Sequence, residues 1–239
     1  MENLAQHTVG EIVAQDFRTA AVFTQNKIDF CCGGHKSLAE VCETKDINVN
    51  RLSQELQEVL STKTENAIDF KSWPLDLLAA YIEKTHHRYV QEKSPVILQY
   101  LYKLCTKHGE RHPELLQIYT LFTECSEELA QHMLKEEHIL FPYIEKMVDA
   151  KNRLGILAPA PFGSVDMPIQ NMIHEHETEG RRLEKIAELT DQYRYPEDAC
   201  NTYKVTYAML QEFEEDLHKH IHLENNILFP RAIALEKEL

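Results

Sequence analysis

Apolar side chains recur along this chain of 239 residues at steps of three and four, the spacing that gathers them on one face of an α-helix. Thr8-Val9-Gly10-Glu11 has the form of a capping box and opens a helix whose apolar face is Val9, Ile12, Val13 and Phe17. That helix is expected to stop before Asp29-Phe30-Cys31-Cys32-Gly33-Gly34, because paired glycines break helices. Ser37-Leu38-Ala39-Glu40 is a second capping box, and Leu52, Leu56, Val59 and Leu60 mark another short helix. Ser61 to Lys71 is polar with little periodicity and reads as a linker, so residues 1–65 form a small helical domain. From Ser72-Trp73-Pro74 the helices lengthen. The first long helix runs from about Pro74 towards His108, bent at Pro95, and the second from about Pro113 to Met147. Its stripe is Ile118, Leu121, Phe122, Cys125, Leu129, His132, Met133, Glu136 and Leu140. Gly155 to Pro168 reads as a loop. A third helix covers about Pro168 to Gln192, and a fourth runs from about Pro196 onward, with Leu210, Phe213, Leu217, His220, Glu224 and Ile227 in line. Four such helices with mostly short connections predict an all-α chain whose residues 72–239 make a four-helix bundle.

The polar members of those stripes carry the chemistry. His132-Met133-Leu134-Lys135-Glu136-Glu137-His138-Ile139-Leu140-Phe141-Pro142 aligns without gaps on His220-Ile221-His222-Leu223-Glu224-Asn225-Asn226-Ile227-Leu228-Phe229-Pro230. Both copies keep the His, the Glu four places later and the Ile-Leu-Phe-Pro tail. Residues four apart share a helix face, so each copy aims an imidazole and a carboxylate into the core. A lone His-x3-Glu on a helix is more often a solvated pair. A repeated, core-facing one is not, because buried unpaired carboxylates are very costly and cations compensate them. A dinuclear site would draw its remaining ligands from the other two helices, which offer His86 or His87 and His174 or His176. Periodicity groups His86 with Leu75, Ala79, Ile82 and Val90 and leaves the choice between neighbours open. Glu83-Lys84-Thr85-His86 and Glu215-Asp216-Leu217-His218 match the Glu-x-x-His motif of carboxylate-rich di-iron bundles, but His218 points off its stripe. His138, His218 and His222 read as solvated. Glu128 and Asp216, one turn before the repeat His, are candidate acceptors for the imidazole N–H or else exposed helix charges.

Composition narrows the class. A formal charge of −14 argues against nucleic acid and against anionic membranes. No apolar run approaches a membrane span, and Met1-Glu2-Asn3-Leu4 begins no secretory signal. The expectation is a soluble cytoplasmic protein. Six cysteines without a spaced framework read as reduced thiols, with Cys125 as core packing. Cys31 and Cys32 before two glycines read as accessible thiols at a docking, metal-relay or redox tip, against the plainer alternative of a loop with incidental thiols.

The doubled His-x3-Glu with Ile-Leu-Phe-Pro, together with Phe30-Cys31-Cys32-Gly33-Gly34 and Leu223-Glu224-Asn225-Asn226-Ile227-Leu228-Phe229-Pro230, resembles the Repair of Iron Centers family across essentially the whole chain. The resemblance implies a hemerythrin-like bundle behind a small N-terminal domain. It implies two iron ions, oxo- and carboxylate-bridged, held by His87, His132, His176 and His220 with Glu136 and Glu224 between them. It selects His176 in Glu175-His176-Glu177, and His87 at eight residues before Pro95. It also implies iron donation to iron–sulfur proteins damaged by nitrosative or oxidative stress, and supports the docking or redox role of Cys31 and Cys32. Two other uses of the same site are a nitric oxide, nitrite or peroxide reductase, and a module that binds or senses small ligands such as dioxygen or nitric oxide. No catalytic side chain is assigned, whether the chain is an enzyme is left open, and a homodimer is compatible with the sequence.

Overall fold

The computed structural model describes residues 4–62, 68–153, 157 and 160–239. The polar stretch 61–71 and the loop 155–168 therefore lie partly outside the described residues. A 3₁₀ turn at Leu4–Gln6 leads into α1 (Val9–Gln15), α2 (Thr19–Gln25), α3 (Leu38–Thr44) and α4 (Val49–Ser61). Both capping boxes form: Thr8 accepts from Glu11 and Ser37 from Glu40, each Glu returning the bond. The opening helix, expected to continue towards Asp29, breaks at Asp16. There the backbone is extended (φ −154°), and the carboxylate takes both the Arg18 backbone N–H at 3.0 Å and its guanidinium. A side chain that satisfies nearby backbone in this way competes with the helix.

The bundle follows a 3₁₀ turn at Phe70–Ser72. Its helices are α5 (Leu75–Ile82) and α6 (Arg88–His108), then α7 (Glu114–Lys135) and α8 (Phe141–Arg153), then α9 (Asp166–Leu189), and last α10 (Asn201–Leu223) and α11 (Phe229–Glu236). Each named pair is one continuous rod joined by a π-helical turn, at Glu83–His87, Glu136–Leu140 and Glu224–Leu228. With α9 these rods make the four-helix bundle. A bend is expected at Pro95; α6 continues as helix through an exposed Pro95, and the irregular turn lies upstream at Glu83–His87. No helix among the described residues is long and apolar enough to cross a membrane.

Two apolar clusters fill the interior. One joins the N-terminal helices to the half of the bundle around Ile97, Phe122, Leu183 and Phe213; the other holds Leu78, Ile82, Ile144, Ile169 and Phe229. In register between them sit His86, His87, His132, Glu136, His176, His220 and Glu224, all buried. A half-buried acid lies away from this centre. Burial pushes Glu214 on α10 up to about 7, against the nearby Tyr193 hydroxyl, which lowers it. A carboxyl raised above its unfolded value stabilises the fold at acid pH, and this contribution is lost as pH rises through about 7. Glu214→Gln is expected to stabilise the protein at pH 8 by about 2–3 kcal/mol in urea denaturation, and by much less at pH 5. An equal effect at both would contradict this.

The N-terminal domain is seated on the end of α10. Asn226 donates to the carbonyls of Phe30 (3.3 Å) and Cys31 (3.4 Å) and bonds His222 at 3.1 Å. His222 is 1% exposed and packs on Phe17 and Phe30; burial first, and then Lys71, bring it down to about 3. His218 is half-buried against Phe30. Both were expected in solvent. They lie on a face of α10 that points outward from the bundle but is covered by the preceding domain. Gly10 and Gly34 permit that seat, since a Cβ on them would stand 2.1 Å and 2.6 Å from Asn226 Oδ1. Gly10→Ala is expected to cost about 1–3 kcal/mol, read as a lowered denaturation midpoint; an unchanged midpoint would show that the junction yields.

Candidate metal centre

Each repeat changes from α to π geometry at its glutamate. Phe141 N–H bonds the Glu136 carbonyl, and Phe229 N–H the Glu224 carbonyl, five residues back in each case. Pro142 and Pro230 come next. A proline ring in a tight α turn clashes with the carbonyl four residues back and offers no N–H, so a widened turn relieves it. The third π turn has the same pattern, with Arg88 N–H on the Glu83 carbonyl. Its extra residue explains why periodicity left the first long helix's ligand open: His86 and His87 are both buried, at 1% and 0% exposure.

The six expected residues come together. His87 Nε2 lies 3.3 Å from Glu136 Oε2 and 3.9 Å from Glu224 Oε1, and His220 Nε2 lies 3.0 Å from Glu224 Oε1. His132 Nε2 stands 3.3 Å from Glu136 Oε2, and His176 Nε2 3.2 Å from Glu224 Oε2. The side chains thus fall into two sets, His87-Glu136-His220-Glu224 and His132-Glu136-His176-Glu224, with ligand atoms within 4.8 Å of one another in each. Both carboxylates belong to both sets. His174 is exposed, and so is His138.

Groups around the site fix which nitrogen faces inward. Nδ1 of His87 meets Glu137 at 2.8 Å, Nδ1 of His132 meets Glu175 at 2.8 Å, and Nδ1 of His176 meets Asn225 Oδ1 at 2.8 Å. With Nδ1 donating in each case, the neutral ring presents a bare Nε2. The bare nitrogens of His132 and His176 then face each other at 3.0 Å. Both oxygens of Glu136, Oε2 of Glu224 and Nε2 of His87 are buried without a hydrogen-bond partner. Lone pairs converging in a dry interior are unfavourable until a cation lies among them, so this donor set fits a metal. Imidazole with carboxylate suits iron, zinc or manganese chemistry. Protons meet the same demand in the metal-free chain. Burial alone would lower His87 and His132, but the closeness of the Glu136 and Glu224 carboxylates, joined at His132 by Glu175, more than reverses it and raises both to about 10. Glu175 is held down to about 2 by its bond to His132, against burial and aided by Lys135.

The repeat supplies more than ligands. The residue after each shared Glu (Glu137, Asn225) orients the imidazole from a non-repeat helix, and the Phe of each tail covers that same ring. Phe141 stacks on His87 at 5.6 Å, and Phe229 on His176 at 6.0 Å. The two halves are thus related by a pseudo-two-fold. The acceptors expected one turn upstream, Glu128 and Asp216, hold other groups. Glu128 pairs instead with Arg182 at 2.9 Å, and Asp216 with His86 Nδ1 at 3.0 Å. Glu128 is drawn away by Arg182, and the neighbouring helix presents Glu175 directly to His132. His86, stacked on His220 with centroids 5.8 Å apart, is a site-lining residue rather than a member of either set.

The Cys31–Cys32 segment lies against the bundle. Asp29 carboxylate oxygens accept the N–H groups of Cys31, Cys32 and Gly33 at 2.9, 3.0 and 2.7 Å. Cys31 is buried rather than accessible, and its bond to Cys32, then burial, push its thiol up. Cys32 is half-buried, with Sγ 3.5 Å from the His176 carbonyl.

Known proteins share this plan. Residues 78–232 match the hemerythrin HHE cation binding domain, and residues 5–60 match ScdA_N, a domain of unknown function (DUF542). The chain is 36% identical to the iron-sulfur cluster repair protein YtfE of Pectobacterium atrosepticum, over 96% of this chain and 97% of that protein. It is 30% identical to the iron-sulfur cluster repair protein ScdA of Staphylococcus epidermidis, over 94% and 96%. It is 33% identical to a YtfE of Yersinia pestis, over 92% and 93%. With both parts of the plan matched and relatives aligned over nearly its whole length, the chain belongs to the hemerythrin HHE cation-binding family, in the two-domain form of the iron–sulfur cluster repair proteins.

Proposed function

We propose that the chain carries two iron ions and gives iron to iron–sulfur proteins whose clusters nitrosative or oxidative stress has damaged. One iron is assigned to His87 and His220, the other to His132 and His176, with Glu136 and Glu224 shared. The observation that carries this reading is the sharing of both buried carboxylates by two histidine pairs. The names of the relatives support the repair role. Iron bound there would be the cargo and would offer open positions to nitric oxide or dioxygen. The chain's own residues set how easily it leaves. Two carboxylates for two cations compensate charge only modestly, so the grip is weaker than in a carboxylate-rich site. Residues 1–65 are read as a docking domain that brings Cys31 and Cys32 to the recipient, and residues 72–239 as the iron-holding bundle, working in the cytoplasm.

The test is transfer. Chain loaded with ⁵⁷Fe is mixed with an iron–sulfur protein whose cluster nitric oxide has destroyed, with sulfide and thiol present. Cluster absorbance should return, with ⁵⁷Fe in the recipient by Mössbauer spectroscopy. Recovery at the rate given by free ferrous iron, with label retained on the chain, would rule donation out.

A further inference from the structure

The pseudo-two-fold relation between the repeats breaks where Glu137 is answered by Asn225. Glu137 and Asn225 each follow a shared carboxylate, and each holds the Nδ1–H of a facing imidazole at 2.8 Å. One is a carboxylate and the other an amide. The amide has a donor to spare, which reaches the Cys31 carbonyl at 3.5 Å. Its neighbour Asn226 bonds that carbonyl at 3.4 Å and the Phe30 carbonyl at 3.3 Å. From the other side, Cys32 Sγ lies 3.5 Å from the backbone carbonyl of His176. The N-terminal loop therefore meets His176 twice, through Asn225 at the ring and through Cys32 at the backbone. His87 and His132 are held instead by Glu137 and Glu175, residues of the bundle itself.

Resting on the two-iron reading above, we propose that Asn225 is a positioning residue through which the Cys31–Cys32 loop sets how firmly the iron on His176 is held. A charged acceptor raises the basicity of a ligating imidazole and forms the stronger bond. Of the three ligand rings held through Nδ1, only His176 is held by a neutral amide, so it is the one whose holding bond can be relaxed; His220 Nδ1 has no partner to lose. With the loop seated, Asn225 is fixed at both ends. With the loop drawn away by a protein docking on the N-terminal domain, the amide loses its anchor and His176 its aligned acceptor. One iron of the pair is then loosened, on the side where the thiols lie, and the other stays.

The experiment compares full-length wild type with Asn225→Ala, Asn225→Asp, Asn226→Ala and the Asn225→Asp/Asn226→Ala double variant. Each is loaded with ferrous iron and its metal content measured, and release into a chromogenic ferrous chelator is then followed by stopped flow. Asn225→Ala should speed one of two release phases by about tenfold or more and leave the other unchanged. Asn225→Asp keeps the shape and the acceptor, strengthens the bond to His176 and cuts the link to Cys31, so it should slow that same phase. Asn226→Ala should speed the phase in the wild-type background but not beside Asn225→Asp. The proposal is overturned if the Ala and Asp variants move release in the same direction, if both phases change equally, or if Asn226→Ala acts alike in both backgrounds. Fewer than two irons in loaded wild type would instead overturn the two-iron reading itself, at the first step.

Discussion

Glu224→Ala is expected to strip the protein of both metals, whereas His176→Ala is expected to leave about one. The difference follows from the sharing pattern. Glu136 and Glu224 belong to both four-residue sets, and each histidine belongs to one. Removing Glu224 takes a carboxylate from each cation at once and leaves one buried negative charge between two divalent ions. Their repulsion in a low-dielectric interior is large, and neither set keeps more than three donors. Removing His176 touches only the set that also contains His132, and His87, Glu136, His220 and Glu224 remain. Elemental analysis after gel filtration would separate the two cases. Equal metal in both variants would mean that the carboxylates are not shared.

Phe229→Ala is expected to destabilise the metal-free protein by about 3–5 kcal/mol. The ring is 1% exposed and lies in the apolar cluster with Leu78, Ile144 and Ala232. Its loss removes the transfer energy of a phenyl group and leaves a cavity, since the π turn before it and Pro230 after it hold the backbone in place. It also removes the plane stacked on His176, with an interplanar angle of 2°, so the imidazole gains freedom that metal binding must then remove. Urea denaturation without metal isolates the packing effect from linkage to bound metal. A loss below about 1 kcal/mol would show that the site collapses around the gap.

Much of this was legible before any coordinates. The stripes gave four long helices, and the inward His and Glu of each repeat gave the polar layer between two apolar clusters. In the sequence only the family resemblance separates His176 from His174; the structure buries the first and exposes the second. Three things were not legible, each for a local reason. A period of 3.6 residues has no place for a π turn, so His86 and His87 competed for one face when the widened turn buries both. The signal was present in Pro142 and Pro230, which follow directly on the wide turns. His222 was assigned to solvent because the stripe of α10 was read against the bundle alone; Phe17 and Phe30 come from more than 180 residues away. The groups that hold the ring nitrogens lie on neighbouring helices, as Glu175 does for His132, and periodicity along one helix cannot find them.

The most direct test of the account is an anomalous difference map at the iron absorption edge, from crystals of the iron-loaded chain. Two peaks are predicted, one between His87 and His220 and the other between His132 and His176, each in contact with Glu136 and Glu224. A single peak, or peaks beside Cys31 and Cys32 with the bundle layer empty, would contradict it.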